Sequence, residues 1–179
     1  LLQPFLPINV TLKGNYSLKN LSRVEPIGKS FLLKQNALFS GFYINELLVK
    51  LLGDNIACGE LFQQYQTSLK LLAQASNIEV CLREFELMLM EELGVSFDFS
   101  LVFEHSAESF YYLPDDGFIP AYTKLKQPCY SRWHLQAIAE RDLSQAAVLM
   151  TFKSLMRQVI NHLLGGVPLN SRKLFSKKV

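Results

Sequence analysis

The stretch Phe39-Ser40-Gly41-Phe42-Tyr43-Ile44-Asn45-Glu46-Leu47-Leu48-Val49-Lys50-Leu51-Leu52-Gly53-Asp54-Asn55 decides the fold. Phe39, Phe42, Tyr43, Leu47, Leu48, Leu51 and Leu52 recur at three- and four-residue spacing, which puts them on one stripe of an α-helix. Gly53-Asp54-Asn55 then supplies a C-terminal cap and turn. The same period continues downstream. A second helix is predicted near Gly59 to Ala75 through Leu61, Phe62, Tyr65, Leu69 and Leu72. A third runs from about Glu79 to Leu93, with Leu82, Phe85, Leu89 and Leu93 on one stripe and Gly94 as its stop. Three amphipathic helices joined by short polar turns predict a helical bundle.

Upstream of Gly28 the period is two. Ile8, Val10 and Leu12 alternate with Asn9, Thr11 and Lys13, Gly14-Asn15 supplies a turn, and Tyr16, Leu18 and Leu21 follow before Glu25-Pro26. An isolated hairpin buries too little to stand alone, so these strands are expected to complete a sheet whose other members precede Leu1. Downstream of the bundle, Phe97, Phe99, Leu101 and Phe103 alternate with Asp98, Ser100 and Val102. Phe110-Tyr111-Tyr112-Leu113, Pro114-Asp115-Asp116-Gly117 and Phe118-Ile119 spell a hairpin with an Asp-Gly turn. Helices resume at Trp133, Leu135 and Ile138. The longest follows Asp142 and ends at Gly165-Gly166, before a short tail carrying Arg172, Lys173, Lys177 and Lys178. The expected class is α+β: strands over 1–29, then a mainly helical domain over 30–179 with a small β-hairpin insertion.

The chain has 179 residues, 49% hydrophobic and 19% charged, a core-forming composition that excludes a disordered tail. It starts at Leu1 without a basic stretch before the apolar residues, so no signal peptide is expected and the translation start is expected upstream. No apolar run of membrane-spanning length occurs, so no membrane partner is expected and a cytoplasmic location is. Cys58, Cys81 and Cys129 form neither a disulfide scaffold nor a Cys-x-x-Cys pair. The net charge of +2 hides a division. Residues 1–30 carry +3, residues 31–110 carry −7, and residues 111–179 carry +6. Basic ends favour polyanionic partners, whereas an acidic helix can simply be solvated.

No catalytic constellation emerges. Gly28-Lys29-Ser30 matches the end of a phosphate-binding loop, but Arg23 stands where that loop needs its first glycine, and Pro26 stiffens the interval. Lys29 reads instead as a linker lysine that can touch nucleic acid. His105, His134 and His162 have no nucleophile elbow or triad pattern around them. Glu84, Glu86, Glu91 and Glu92 lack a histidine partner set for metal. Catalytic residues, metal and cofactors are therefore expected to be none.

A family resemblance rests on five motifs in order: Leu2-Gln3-Pro4-Phe5; Ser40-Gly41-Phe42-Tyr43-Ile44-Asn45-Glu46-Leu47-Leu48; Leu82-Arg83-Glu84-Phe85-Glu86 leading to Leu93-Gly94; Asp116-Gly117-Phe118; and Gly165-Gly166-Val167-Pro168-Leu169-Asn170-Ser171-Arg172-Lys173-Leu174-Phe175. Together they resemble the bacterial DNA-repair and recombination mediator family RecO, over almost the whole chain. The resemblance implies that residues 1–29 are the C-terminal strands of an OB-fold barrel and that residues 30–179 are the family's helical domain. It implies binding to single- and double-stranded DNA, annealing of complementary strands, and work with RecR and single-stranded DNA-binding protein (SSB) to load RecA. It places the protein in the bacterial cytoplasm at the nucleoid.

Under that resemblance Lys13, Tyr16, Lys19, Arg23 and Lys29, with Arg172 and Lys173 of the tail, are the expected DNA contacts, because OB barrels combine a charged face with aromatic stacking. Tyr16 reads equally as a stacking ring or a barrel-packing residue. Arg83, in the Leu-Arg-x-Phe-Glu motif, and Arg157, on the long final helix, are expected to bind the acidic SSB tail with its terminal aromatic carboxylate. The competing role for Arg83 is an ion pair with Glu79 or Glu86 one helical turn away. The alternative for the whole chain is a helical protein-interaction adaptor without direct DNA binding. Some family members carry four zinc-binding cysteines in the segment matching about 94–130. Only Cys129 lies there in this chain, so elemental analysis of the purified protein should find no stoichiometric zinc; one tightly held zinc per chain would overturn this.

Overall fold

The computed structural model describes residues 3–16, 18–54 and 56–176. Leu2 of the first motif and the tail residues Lys177 and Lys178 lie outside them. Strands β1 (Ile8–Lys13) and β2 (Asn20–Pro26) pair antiparallel, from Ile8 opposite Pro26 to Lys13 opposite Asn20. The register shifts between Thr11 and Leu12, so that Leu12 faces Leu21 and Ser22 is the extra residue. This bulge keeps Val10, Leu12, Leu21 and Val24 on one face, and Asn9, Thr11, Lys13, Arg23 and Glu25 on the other. Val10, Leu12 and Leu21 are exposed, because a two-stranded ribbon has nothing to cover its apolar face. Tyr16 and Leu18 belong to the connecting turn rather than to a strand, and both are exposed.

The bundle has the three helices that the periodicity predicts. Helix α1 spans Gln35–Leu51, α2 spans Gly59–Ala73 and α3 spans Ile78–Glu92. Their stripes meet in a core where Ile44, Leu47, Leu61, Leu69, Phe85 and Leu89 are almost wholly excluded from water. Each such side chain contributes about 1.5–3 kcal/mol relative to exposure. Gly94, at φ +72°, ends the third helix in the left-handed region where glycine has no Cβ penalty.

Beyond it, the alternation of Phe97, Phe99, Leu101 and Phe103 does not make a strand. Asp98 Oδ1 accepts the Ser100 amide at 2.9 Å and helix α4 begins there, over Ser100–Glu104. The spacing serves an aromatic cluster instead. Phe99 stacks on Phe118 at 5.0 Å, and Phe97 meets Tyr112 edge-on at 5.4 Å. The Asp-Gly hairpin is present as β3 (Ser109–Leu113) and β4 (Gly117–Pro120). A third strand, β5 (Cys129–Ser131), pairs with the other side of β3, giving the order β4-β3-β5.

Helix α5 (Arg132–Ala139) leads to α6 (Ala146–Leu163), which packs against both α5 and α3 through Val148, Phe152, Leu155, Met156, Val159 and Ile160. The turn after α6 places Gly165 and Gly166 at positive φ. Residues 169–176 of the tail fold back on the bundle: α7 (Arg172–Ser176) packs against α1, and Leu169 and Ser171 are buried.

The strand pair reaches the bundle through Phe5 and the linker. Phe5 O accepts the Phe31 amide at 3.0 Å, and the Phe5 ring sits 5.5 Å from that of Phe42. Gly41 makes this approach possible: a Cβ there would lie 2.6 Å from Leu33 Cδ1 and 2.8 Å from Phe5 Cζ. Gly41→Ala should therefore destabilise the protein by about 1–2 kcal/mol, overpacking outweighing the gain in helix propensity. Urea unfolding checks it, and adding Leu33→Ala should restore part of the stability. A Gly41→Ala variant as stable as the parent would remove this constraint.

Candidate functional site

Side chains from α1, α3, α6 and α7 converge on a pocket of about 270 Å³. Arg83 and Leu82 come from α3, Lys153 and Arg157 from α6, and Arg172 and Phe175 from α7. Four cations and two apolar side chains around one concavity suit an anionic ligand that also carries an apolar group. The structure thus brings Arg83 and Arg157, which are far apart in sequence, to one wall.

The four cations are not equivalent. Arg83 is 3% exposed, and its Nη2 donates to Glu86 Oε1 at 2.6 Å one helical turn away. Glu86, 1% exposed, also accepts the Tyr43 hydroxyl from α1 at 2.6 Å. Burial raises the Glu86 carboxyl above its ordinary value against the opposing pull of Arg83 and Tyr43, and burial beside Glu86 pushes the Tyr43 phenol well up. Tyr43 is thereby held protonated, as a donor. The ion-pair role of Arg83 is therefore present, with Glu86 rather than Glu79 as the partner. Lys153 Nζ binds Glu79 Oε1 at 2.7 Å at the pocket rim. Arg157 is exposed, and neither it nor Arg172 makes a salt bridge among the described residues.

Sequence reading missed what holds the tail. Glu46 on α1 accepts the Asn170 amide through Oε1 at 2.8 Å, and the Ser171 amide and hydroxyl through Oε2 at 2.8 and 2.6 Å. Burial alone would raise the Glu46 carboxyl, but these hydrogen bonds and Lys50, 3.8 Å away, outweigh it and hold it below the ordinary value. The Asn170-Ser171-Arg172 signature was the available signal. Arg172, an expected DNA contact, lines the pocket with Nη2 buried, and Glu46 anchors the two residues before it. Lys173 is exposed, with Nζ 3.3 Å from Asn170 Oδ1.

The other expected DNA contacts gather on the ribbon and its linker. Lys13 and Arg23 share the polar face of β1 and β2; Lys19 donates to Gly14 O at 2.9 Å across the turn that carries Tyr16; Lys29 is exposed in the linker. Arg23 pairs with Glu25 at 2.6 Å, an exposed pair of small energetic weight. Two of the histidines have hydrogen-bond partners: the His105 ring lies between the Ala107 amide at 3.0 Å and the Tyr122 hydroxyl at 3.1 Å, and His134 Nδ1 is 2.7 Å from Thr151 Oγ1. Among the described residues no three His, Cys, Asp or Glu side chains come together as metal ligands. No helix among them is long and apolar enough to cross a membrane.

A family model described as recombination protein O, C terminal, matches residues 34–149. Curated relatives called DNA repair protein RecO match nearly the full chain. That of Pseudomonas putida (strain W619) is 37% identical, over 99% of this chain and 80% of its own length. That of Pseudoalteromonas translucida (strain TAC 125) is 38% identical, over 98% and 77%. That of Actinobacillus succinogenes is 36% identical, over 99% and 77%.

Arg83→Ala should lower stability by about 3–5 kcal/mol, because it leaves a buried carboxylate without its cation. Loss of Arg83 also raises the Glu86 pKa further, and a carboxyl raised in the folded state costs stability only above its unfolded value. The deficit should therefore narrow as pH falls. Urea unfolding at several pH values checks both statements, and a variant with unchanged stability at neutral pH would leave Arg83 without structural weight.

Proposed function

Because the chain belongs to the RecO family, we propose that it acts in DNA repair as a non-enzymatic recombination mediator. It grips single- and double-stranded DNA electrostatically, anneals complementary strands, and with RecR helps load RecA onto SSB-coated single strands. Annealing makes and breaks no covalent bond. It needs two phosphate backbones neutralised closely enough for complementary bases to meet. The protein works in the bacterial cytoplasm, at the nucleoid.

The observation that best supports this reading is the pocket, where cations from α3, α6 and α7 lie beside Leu82 and Phe175. An SSB tail, acidic and ending in an aromatic residue with a free carboxylate, offers the matching charge and one ring to bury. Arg157 is exposed there, and Arg83 lines the same wall while paired with Glu86. On the DNA side, residues 1–29 act as the C-terminal strands of an OB-fold barrel, with Lys13, Lys19, Arg23 and Lys29 meeting phosphates and Tyr16, 83% exposed, free to stack on a base.

Replacing Lys13, Lys19 and Arg23 together by Ala should weaken oligonucleotide binding regardless of sequence. The log-log salt slope should fall by about 0.7 for each single-strand phosphate that the protein no longer neutralises. Fluorescence anisotropy across a salt series measures both. An unchanged slope would move DNA off this face, and no salt-dependent binding by the parent protein would favour an adaptor that does not touch DNA.

A further inference from the structure

The connection between β4 and β5 reads Ala121-Tyr122-Thr123-Lys124-Leu125-Lys126-Gln127-Pro128, with two cations and no acid. All of it from Tyr122 to Pro128 is exposed. Neither Lys124 nor Lys126 makes a salt bridge among the described residues, and Glu104 and Glu108, which lie near His105 in the sequence, take neither lysine. The positive charge of this loop is therefore not spent inside the molecule.

An exposed connection of this length is ordinarily mobile, but this one is tied at intervals. The Ala121 amide donates to Ser109 O at 2.9 Å, the Leu125 amide to the Tyr111 hydroxyl at 3.0 Å, and Gln127 Oε1 accepts Gln158 Nε2 of α6 at 2.9 Å. Lys124 and Lys126 fall between these ties. The backbone is held while both lysine side chains are left to solvent.

Tyr122 is 74% exposed, yet its hydroxyl is engaged, 3.1 Å from His105 Nε2. His105 Nδ1 accepts the Ala107 amide at 3.0 Å, so the neutral imidazole carries its proton on Nε2 and donates it to the Tyr122 oxygen. The Tyr122 and His105 rings meet edge-on at 5.7 Å, and buried Phe110 meets His105 edge-on at 6.3 Å. A ring anchored in this way stays open to solvent in a fixed place and loses little freedom when something stacks on it. An unpaired base brings a flat π-face with a phosphate on either side, which are the features that the ring and the lysines meet. In a duplex those faces are stacked on one another.

We propose that the β4–β5 loop is a second contact for single-stranded DNA: Tyr122 stacks on an unpaired base, Lys124 and Lys126 meet neighbouring phosphates, and His105 is the positioning residue for the ring. This rests on the reading of the chain as a DNA-binding protein and adds a contact in a different sheet from the β1–β2 ribbon.

The test uses the full chain and labelled oligothymidylate, read by fluorescence anisotropy across a salt series, beside a strand of equal length that lacks bases. Lys124→Ala with Lys126→Ala should lower the log-log salt slope by about 1.4, two single-strand phosphates at about 0.7 each. Tyr122→Leu should weaken oligothymidylate binding about tenfold while leaving the slope, and the affinity for the base-free strand, at the parent's level, because stacking needs a base and releases no counterion. Tyr122→Phe keeps the ring and loses its tie, so it should cost a few-fold. His105→Phe should cost the same, and the two together no more than either alone. If His105→Phe lowers the thermal midpoint, Tyr122→Phe, at an exposed position, carries this arm by itself, and full affinity there would overturn the positioning role, as would additive losses in the pair. An equal loss on the base-free strand for Tyr122→Leu would overturn stacking. If the slope is unchanged by the loop lysines and lowered by replacing Lys13, Lys19 and Arg23, the loop contact is wrong while the DNA reading stands. If the parent binds neither strand, the DNA reading fails and this inference with it.

Discussion

A carboxylate inside the bundle, Glu86, governs how the surrounding helices fit. An ionised carboxyl with 1% exposure is tolerated only with a cation and hydrogen bonds in place. Arg83 supplies the first from the same helix and Tyr43 the second from α1, so α1 and α3 cannot slide past one another without stranding a charge. Apolar side chains of equal volume would be at least as stable there. What the network contributes is a fixed register of α1 on α3.

Much else hangs from α1. Gly41 admits Phe5 and Leu33 on one side, Tyr43 reaches Glu86 within, and Glu46 clamps Asn170 and Ser171 on another side. Three of the separated motifs thus have a common physical reason: each meets the run from Gly41 to Glu46. Glycine is needed there because two side-chain tips come within 3 Å of where its Cβ would be, and glutamate because two backbone amides and a hydroxyl converge on one carboxylate.

The helices were legible in the sequence because burial of a single stripe leaves a period of 3.6 that nothing else mimics. The hairpin at Asp115-Asp116-Gly117 was legible because its turn demands a positive φ, which Gly117 takes at +74°. The run from Phe97 to Phe103 misled because aromatic packing onto Tyr112 and Phe118 selects the same spacing as a strand, while Asp98 starts a helix at Ser100. How the tail is held was not legible, because the carboxylate that captures Ser171 stands 125 residues earlier, beyond any local pattern. Sequence put Arg83 and Arg157 on two helices; only the α3–α6 packing places them in one pocket wall, and only burial tells them apart.

Charge counted along the chain overstates how basic the C-terminal part is toward a partner. Arg141 binds Glu84 at 2.8 Å and Glu91 at 3.2 Å, Lys153 binds Glu79, and Arg132 donates to the carbonyls of Val102 and Phe103 at 3.1 and 3.0 Å. The excess of acid in residues 31–110 is thus partly neutralised by the excess of base in 111–179, and the Arg141 and Lys153 pairs tie α3 to the turn before α6 and to α6 itself. Cations already committed in this way attract phosphate weakly, because a polyanion must compete with a local carboxylate. The cations without a carboxylate partner among the described residues are spread over the surface: Lys34, Lys70, Lys124 and Lys126 are unpaired and exposed as well as those of the ribbon, the linker and the pocket. On the ribbon and linker Lys13 and Lys29 stand exposed without a carboxylate partner among the described residues; in the pocket Arg157 is exposed and Arg172 half-buried, likewise without one. Long, flexible lysines on an exposed strand and linker suit a backbone read without sequence, whereas two guanidinium groups set around a concavity suit the planar geometry of carboxylates.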